Sequence, residues 1–358
     1  MLIAFYSGKR ILITGHTGFK GSWLALWLKK LGATVVGYSK PAPTDPNLYS
    51  VVREHAVTEE VIADINDARK LREAVARFQP DIIFHLAAQP LVRRSYVEPV
   101  ETFATNVIGT INLMEAVRAA KSAAALILIT TDKCYENREW DYAYRENDAL
   151  GGHDTYSASK AAAEIAIQSW RESFFKTNGE LGPVASARAG NVIGGGDYAE
   201  DRIVPDALRA VLAGRELVMR NPAATRPWQH VLDCLHGYLI LAQKLVERGK
   251  DSEMASAFNF GPGPHSDFPV KRVVDELFRV LPGKLSTGQQ LAGPHEAGKL
   301  NLAIDKATTL LDWTPRWHFE EIIRRTAEWY NERHFKKNPD MLEYSLRQIE
   351  AFESSSQR

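Results

Sequence analysis

With 358 residues the chain is longer than one small core organises, so two domains, or one large domain with a lobe, are expected. Its 44 basic residues balance 44 acidic ones, which excludes a general attraction to nucleic acid or to an anionic membrane; an anionic ligand needs its own pocket. Two cysteines, Cys134 and Cys234, make neither a disulfide framework nor a four-ligand zinc pattern, so thiol redox chemistry is not expected. His295-Glu296 begins like a zinc-protease helix, but Lys299 stands where its second histidine belongs, and no metal is expected. The first ten residues are too short for a signal peptide, and no apolar run approaches the ~18 residues of a membrane span, so a cytoplasmic protein is expected.

In chain order, residues 10–14 read as a buried strand, followed by glycines and an apolar helix at 23–31 that closes at Gly32. Strands at 34–38, 82–86 and 126–130 alternate with helices at 68–78 and 102–120. That alternation predicts an α/β protein with a doubly wound parallel sheet. A long helix at 156–176 and a strand at 184–187 extend the sheet. Segments 194–228 and 261–317, rich in Gly, Pro and Trp, predict a smaller mixed α/β carboxyl-terminal lobe over the carboxyl ends of the strands, where open sheets bind ligands. A helix at 231–248 and a strand at 257–260 return to the first domain. The expected units are therefore 1–190 with 229–260, then 191–228 with 261–345, and a polar tail at 346–358 that is disordered from about Glu353.

Gly15-His16-Thr17-Gly18-Phe19-Lys20-Gly21 lies between the first strand and its helix, where backbone N–H groups and the helix dipole face a pyrophosphate. No acid ends the second strand to hold an adenosine ribose; Lys40 there serves either a 2′-phosphate or only solvent. Asp64-Ile65 either meets an adenine amino group or caps a loop. Tyr156 and Lys160, four apart, share one helix face, so the lysine charge is expected to lower the phenol from its usual pKa of ~10. Trp228, Trp313 and Trp317 are expected in the core.

The glycine turn, His85-Leu86-Ala87-Ala88-Gln89, Tyr156-x-x-x-Lys160 and Arg188-Ala189-Gly190-Asn191-Val192 together resemble the extended short-chain dehydrogenases/reductases that act on nucleotide sugars, over nearly the whole chain. The resemblance implies a Rossmann-type domain holding NAD, a lobe holding the sugar nucleotide, and Tyr156 as base at the sugar C4 hydroxyl. It places Gly15, Thr17, Gly18, Phe19, Lys20 and Gly21 at the cofactor, with Asp64, Ile65, Leu86, Ala87, Ala88, Gln89, Asn106, Tyr156 and Lys160.

Thr130-Thr131-Asp132-Lys133-Cys134-Tyr135 is similar to the Thr-Asp-Glu signature of nucleotide-sugar 4,6-dehydratases, with lysine where the dTDP-glucose enzymes carry glutamate. Thr-Asp-Lys resembles instead the branch that acts on CDP-glucose, as do the glycine turn and the run from Arg188 to Asp197. What this implies is a lyase with CDP-glucose as substrate and a catalytic set of Thr131, Asp132, Lys133, Tyr156 and Lys160. Asp132 would protonate the departing C6 hydroxyl and Lys133 would be the base at C5. Asn191, Arg202, Arg226, Asn259 and Glu296 would bind substrate, Arg226 and Asn259 at the diphosphate. A homodimer or homotetramer through the helices at 102–120 and 156–176 is also implied. The alternatives are another nucleotide-sugar 4,6-dehydratase or a 4-epimerase of the same superfamily. An epimerase has no use for an acid–base pair at 132 and 133, and a non-catalytic dinucleotide sensor has none for the Tyr-Lys pair.

Overall fold

The computed structural model describes residues 2–219, 221–263, 267–286 and 299–355. Eleven strands occur among them: β1 (Arg10–Thr14), β2 (Thr34–Ser39), β3 (Glu59–Ile62), β4 (Ile82–His85), β5 (Ala125–Ile129), β6 (Val184–Ala189), β7 (Val192–Ile193), β8 (Thr225–Pro227), β9 (Gln229–His230), β10 (Ala257–Phe260) and β11 (Asp267–Pro269). Seven form one sheet in the order β10-β6-β5-β4-β1-β2-β3, with every neighbouring pair parallel. Strands covered by helices on both faces must be apolar throughout, and β4 and β5 are buried at every residue.

The chain winds outward from β1 through β2 to β3, then crosses to β4 and winds the other way. The strand order thus reverses between β1 and β4, where Thr14 pairs with His85, and a crevice opens beyond their carboxyl ends. Across it lies the smaller lobe, where β8 pairs antiparallel with β11 and the helix Ile203–Leu212 packs on Val270–Leu277. Trp228, Trp313 and Trp317 are buried in the largest core cluster, as expected.

Three features depart from the sequence reading. The edge strand β3 carries Glu59 and Glu60 and is nowhere fully buried, so it shows no apolar run; charge on an edge strand discourages pairing with other chains. The expected helix at 102–120 is built from Pro99–Phe103, a π-helical turn Ala104–Ile108 and Gly109–Ala119, and the one at 156–176 from Thr155–Trp170 and a π-helical turn Arg171–Phe175. The expected polar tail is instead the end of a helix, Met341–Ser354, started by an Asp340 side chain that accepts from Glu343 N. Its apolar stripe buries Ile349 and Phe352, and Glu353 accepts from Trp27 Nε1 at 2.8 Å and pairs with Lys30. Two such apolar anchors among polar residues suffice once a neighbouring helix covers them.

Among the described residues no helix is long and apolar enough to cross a membrane, and no group of three His, Cys, Asp or Glu side chains is placed to hold a metal.

Candidate active site

A cleft of about 1560 Å³ runs along the carboxyl ends of β1, β4, β5 and β6 and under the lobe. At its floor Gly15 takes a left-handed backbone, φ 78, and a Cβ there would lie 2.7 Å from Ala87 N; a Cβ on Gly21 would lie 2.1 Å from Gly15 O. These two glycines close the turn against its own helix and against β4. Gly18 differs, because its Cβ would meet only Gly15 O at 3.4 Å and otherwise open space. Gly18 is also the N-cap of Phe19–Lys30 and supplies no side-chain cap, so the first N–H groups of that helix are left for a ligand. A dinucleotide pyrophosphate fits this cradle. Gly18→Val, which puts a branched side chain where the phosphates approach, is expected to weaken NAD binding about tenfold or more, the scale of forced overpacking. Calorimetric titration checks this, and an unchanged affinity in a folded variant contradicts it.

Thr17 Oγ1 hydrogen-bonds with Ser39 Oγ and donates to Lys40 O, each at 2.9 Å, joining the glycine turn to the end of β2. Lys40 Nζ pairs with Asp64 at 2.6 Å and Glu101 at 3.1 Å. Two carboxylates neutralise the lysine and would repel a 2′-phosphate, so this end of the cleft fits NAD better than NADP. Asp64, Ile65 and residues 86–89 line the cleft as expected. Asn106 does not. It is buried beneath Gln89, its Oδ1 accepting from Gln89 N and its Nδ2 donating to Gln89 O and Ser159 Oγ. Every polar atom of Asn106 is used within the fold, which corrects it from a cofactor contact to a staple between the 86–89 loop and the Tyr156 helix.

That helix starts at Asp154, whose carboxylate accepts from Ser157 N at 2.9 Å and Ser157 Oγ at 2.6 Å, so the backbone of Tyr156 is held in the first turn. Tyr156 and Thr131 both line the cleft, the Thr131 hydroxyl acting to lower the Tyr156 phenol, and Thr131 Oγ1 donates to Asp132 Oδ1 at 2.8 Å. Thr131 also caps the short 3-10 turn Asp132–Cys134, which turns the Asp132 carboxylate inward while Lys133 lines the cleft. A Cβ on Gly190 would stand 3.2 Å from Asp132 Oδ2, so glycine there makes room for the carboxylate. Asp132 and Lys133 both line the cleft, and among the described residues they form no ion pair with each other. The Tyr156 phenol and the Asp132 carboxyl thus converge, through Thr131, on a cleft that Lys133 also faces.

The expected effect of Lys160 on Tyr156 is not what governs it. Burial raises the phenol above its ordinary value; the Thr131 hydroxyl and the charge of Arg202 pull it back, and Asp132 and Asp154 push it further up. Lys160 is itself pushed down to about 8 by burial and by Lys20.

Of the expected substrate contacts, Asn191, Arg202 and Arg226 line the cleft, Arg202 pairing with Asp197 at 2.7 Å. Asn259 is a correction. Its Oδ1 accepts from Tyr135 Oη and its Nδ2 donates to Tyr144 O and Ala303 O, so it is a buried clamp and lies outside the cleft lining. Glu296 lies outside the described residues.

The family model for GDP-mannose 4,6 dehydratase matches residues 12–326. The chain belongs to the GDP-mannose 4,6 dehydratase family. It is 46% identical over 99% of both chains to CDP-glucose 4,6-dehydratase of Salmonella typhimurium, and 27% identical to dTDP-glucose 4,6-dehydratase of Shigella flexneri over 90% of this chain and 92% of that one. The solved structure of MoeE5 in complex with UDP-glucuronic acid and NAD superposes with a TM-score of 0.75 at 25% identity, over 90% of this chain and 99% of the other.

In this family member the motif reading missed the support under the Thr-Asp-Lys turn. Glu164 is buried and accepts from Thr130, Ser186 and Arg188, the last at 2.8 Å. Burial pushes its carboxyl up, but the Arg188 guanidinium and these hydrogen bonds hold it below its ordinary value. Arg188 also donates to Tyr135 Oη at 2.8 Å, so β5, β6 and the Tyr156 helix are tied together directly below the turn. The signal was present in the sequence: Glu164 follows Lys160 by four and Tyr156 by eight, on the same helix face. A second such residue is His16, whose buried ring occupies the space a Cβ on Gly37 would need, 2.5 Å away, and whose Nε2 meets Glu60 at 3.1 Å. Gly37 therefore allows the glycine turn to seat against β2.

Proposed function

We propose that the protein is an NAD-dependent CDP-glucose 4,6-dehydratase that converts CDP-glucose to CDP-4-dehydro-6-deoxyglucose and water. The observation that carries the reading is the convergence of Tyr156, Thr131, Asp132 and Lys133 on one cleft beside a dinucleotide cradle. An oxidation at C4 alone needs only the tyrosine; a pair of further proton-transfer groups beside it fits an elimination. The choice of CDP-glucose is supported by the 46% identity with the Salmonella enzyme, against 27% with a dTDP-glucose enzyme.

In this reading Tyr156 takes the C4 hydroxyl proton, with Thr131 holding the phenol in line. Bound NAD supplies the hydride acceptor at C4 and the hydride donor at C6, so it ends the cycle as it began. The C4 ketone acidifies C5–H; Lys133 removes that proton, the C6–O bond breaks, and Asp132 protonates the oxygen that leaves as water. Lys133 returns its proton to C5 as C6 is reduced, and the proton that Tyr156 took from the C4 hydroxyl replaces, through solvent, the one that Asp132 gave to the departing water, so Tyr156, Asp132 and Lys133 all end as they began. Arg226 and Asn191 hold the nucleotide end, the guanidinium fork matching phosphate oxygens.

The exposed apolar residues Ile108 and Ile165 lie on the helices at 102–120 and 156–176 expected to join copies of the chain, with exposed Val97 and Val100 just ahead of the first, which supports a homodimer or a tetramer of such dimers. Two buried free cysteines fit a reducing cytoplasm.

The test is incubation of the pure protein and NAD with CDP-glucose, dTDP-glucose, UDP-glucose and GDP-mannose in parallel, read by the alkali-induced absorbance of a 4-keto-6-deoxy sugar. Product from CDP-glucose well above the others is expected. A C4 epimer, or preference for another nucleotide, overturns the proposal.

A further inference from the structure

The short helix Val92–Val97 follows β4 and carries Arg93 into the cleft. It is tied to the catalytic helix, since Thr155 Oγ1 donates to Ser95 O and Ser95 Oγ, each at 2.8 Å, one residue before Tyr156. Arg93 is therefore placed by the same anchor that places the phenol.

A guanidinium has five donors. Arg93 Nε is buried without a partner, and Nη1 reaches Asp201 Oδ1 only at 3.4 Å, beyond the ~2.7–2.9 Å of a charge-assisted hydrogen bond. The other cleft arginines are better satisfied: Arg202 meets Asp197 at 2.7 Å and Arg226 donates to Thr225 O at 2.7 Å. Arg93 is thus held in position with its fork unfilled.

We propose that Arg93 orients the hexose of the substrate, donating to the vicinal hydroxyls of the pyranose so that C4 is presented to Tyr156. The inference rests on the nucleotide-sugar reading above. A neutral diol is favoured over the diphosphate for two reasons. Asp201 stands beside Arg93 and would repel a phosphate, whereas hydroxyls both donate and accept and match a guanidinium–carboxylate pair. Asp201 also adjoins Arg202, whose charge acts on the Tyr156 phenol, which puts the Arg93–Asp201 pair at the reacting end of the cleft.

The experiment compares the parent with Arg93→Met, Arg93→Lys and Asp201→Asn. Asparagine is chosen because it tolerates the left-handed backbone of Asp201, φ 58. Affinities for NAD and for CDP, which lacks the sugar, are measured by calorimetry, and kcat and KM are measured for CDP-glucose and its 2-deoxy and 3-deoxy analogues. In Arg93→Met the affinities for NAD and CDP should stay near parental while kcat/KM for CDP-glucose falls about 10–100-fold, the scale of a lost hydrogen bond to a charged donor. One deoxy analogue should be penalised in the parent and not further in the variant. Arg93→Lys keeps charge without the fork and should show the same split in smaller measure, which decides the matter if the methionine variant fails to fold. A parallel loss of CDP affinity assigns Arg93 to the diphosphate and overturns the inference. So does an Asp201→Asn variant that reproduces the whole loss with both analogues affected alike, because the pair then only clasps the lobe. A parent that makes no 4-keto-6-deoxy sugar overturns the functional reading and this inference with it; a productive parent with indifferent Arg93 variants overturns this inference alone.

Discussion

Tyr156→Phe is expected to lower the rate of C4 oxidation by roughly 10²–10⁴-fold, the range for a positioned general base. Phenylalanine keeps the buried ring and its packing and removes only the hydroxyl, so the fold and NAD affinity should persist. Because burial holds the phenol above its ordinary value, little phenolate is present at neutral pH in the ligand-free protein. The parental rate should therefore rise with pH across the neutral and mildly alkaline range, since raising pH supplies the deprotonated base. The phenylalanine variant should lose that dependence. Rapid-mixing absorbance of NADH in a single turnover measures both effects, and a variant that oxidises C4 at the parental rate removes Tyr156 from the role.

Changing Lys133 should stop the reaction one step later. If it is the C5 base, Lys133→Met leaves oxidation by Tyr156 intact and blocks elimination, so NADH accumulates on the enzyme and product formation falls by a similar ~10²–10⁴-fold. Arginine distinguishes base from mere charge, because it keeps the positive charge but cannot accept a proton in this range. The expected result is that Lys133→Arg also accumulates NADH, without exchange of the C5 hydrogen in deuterated water. Elimination near the parental rate in the arginine variant would instead leave Lys133 as an electrostatic partner of Asp132 or of the substrate. The position suits such a test, since the Lys133 side chain lines the cleft and its substitution removes no ion pair among the described residues.

Much of the fold was legible because its elements announce themselves locally. Buried strands such as Ala125–Ile129 are unbroken apolar runs, and the helices Ala68–Phe78 and Val231–Arg248 have clear boundaries. The glycine turn was legible because strand, glycines and helix are contiguous, and Tyr156 with Lys160 because helical periodicity alone puts them on one face. What the sequence could not separate was polar residues that face a ligand from polar residues that face the protein. Asn106 and Asn259 carry the same donors and acceptors as Asn191, yet the first two spend them on Gln89, Ser159, Tyr135, Tyr144 and Ala303, while Asn191 faces the cleft. Their partners lie up to 124 residues away, so no local pattern marks them. The same holds for Arg202, whose influence on Tyr156 arises only when the lobe folds over the sheet, and for Phe352, apolar in a polar stretch until Trp27 packs against it. Local chemistry and periodicity are written in the order of residues; which buried polar group is satisfied, and which charge lies near which acid, depends on distances that only the folded chain defines.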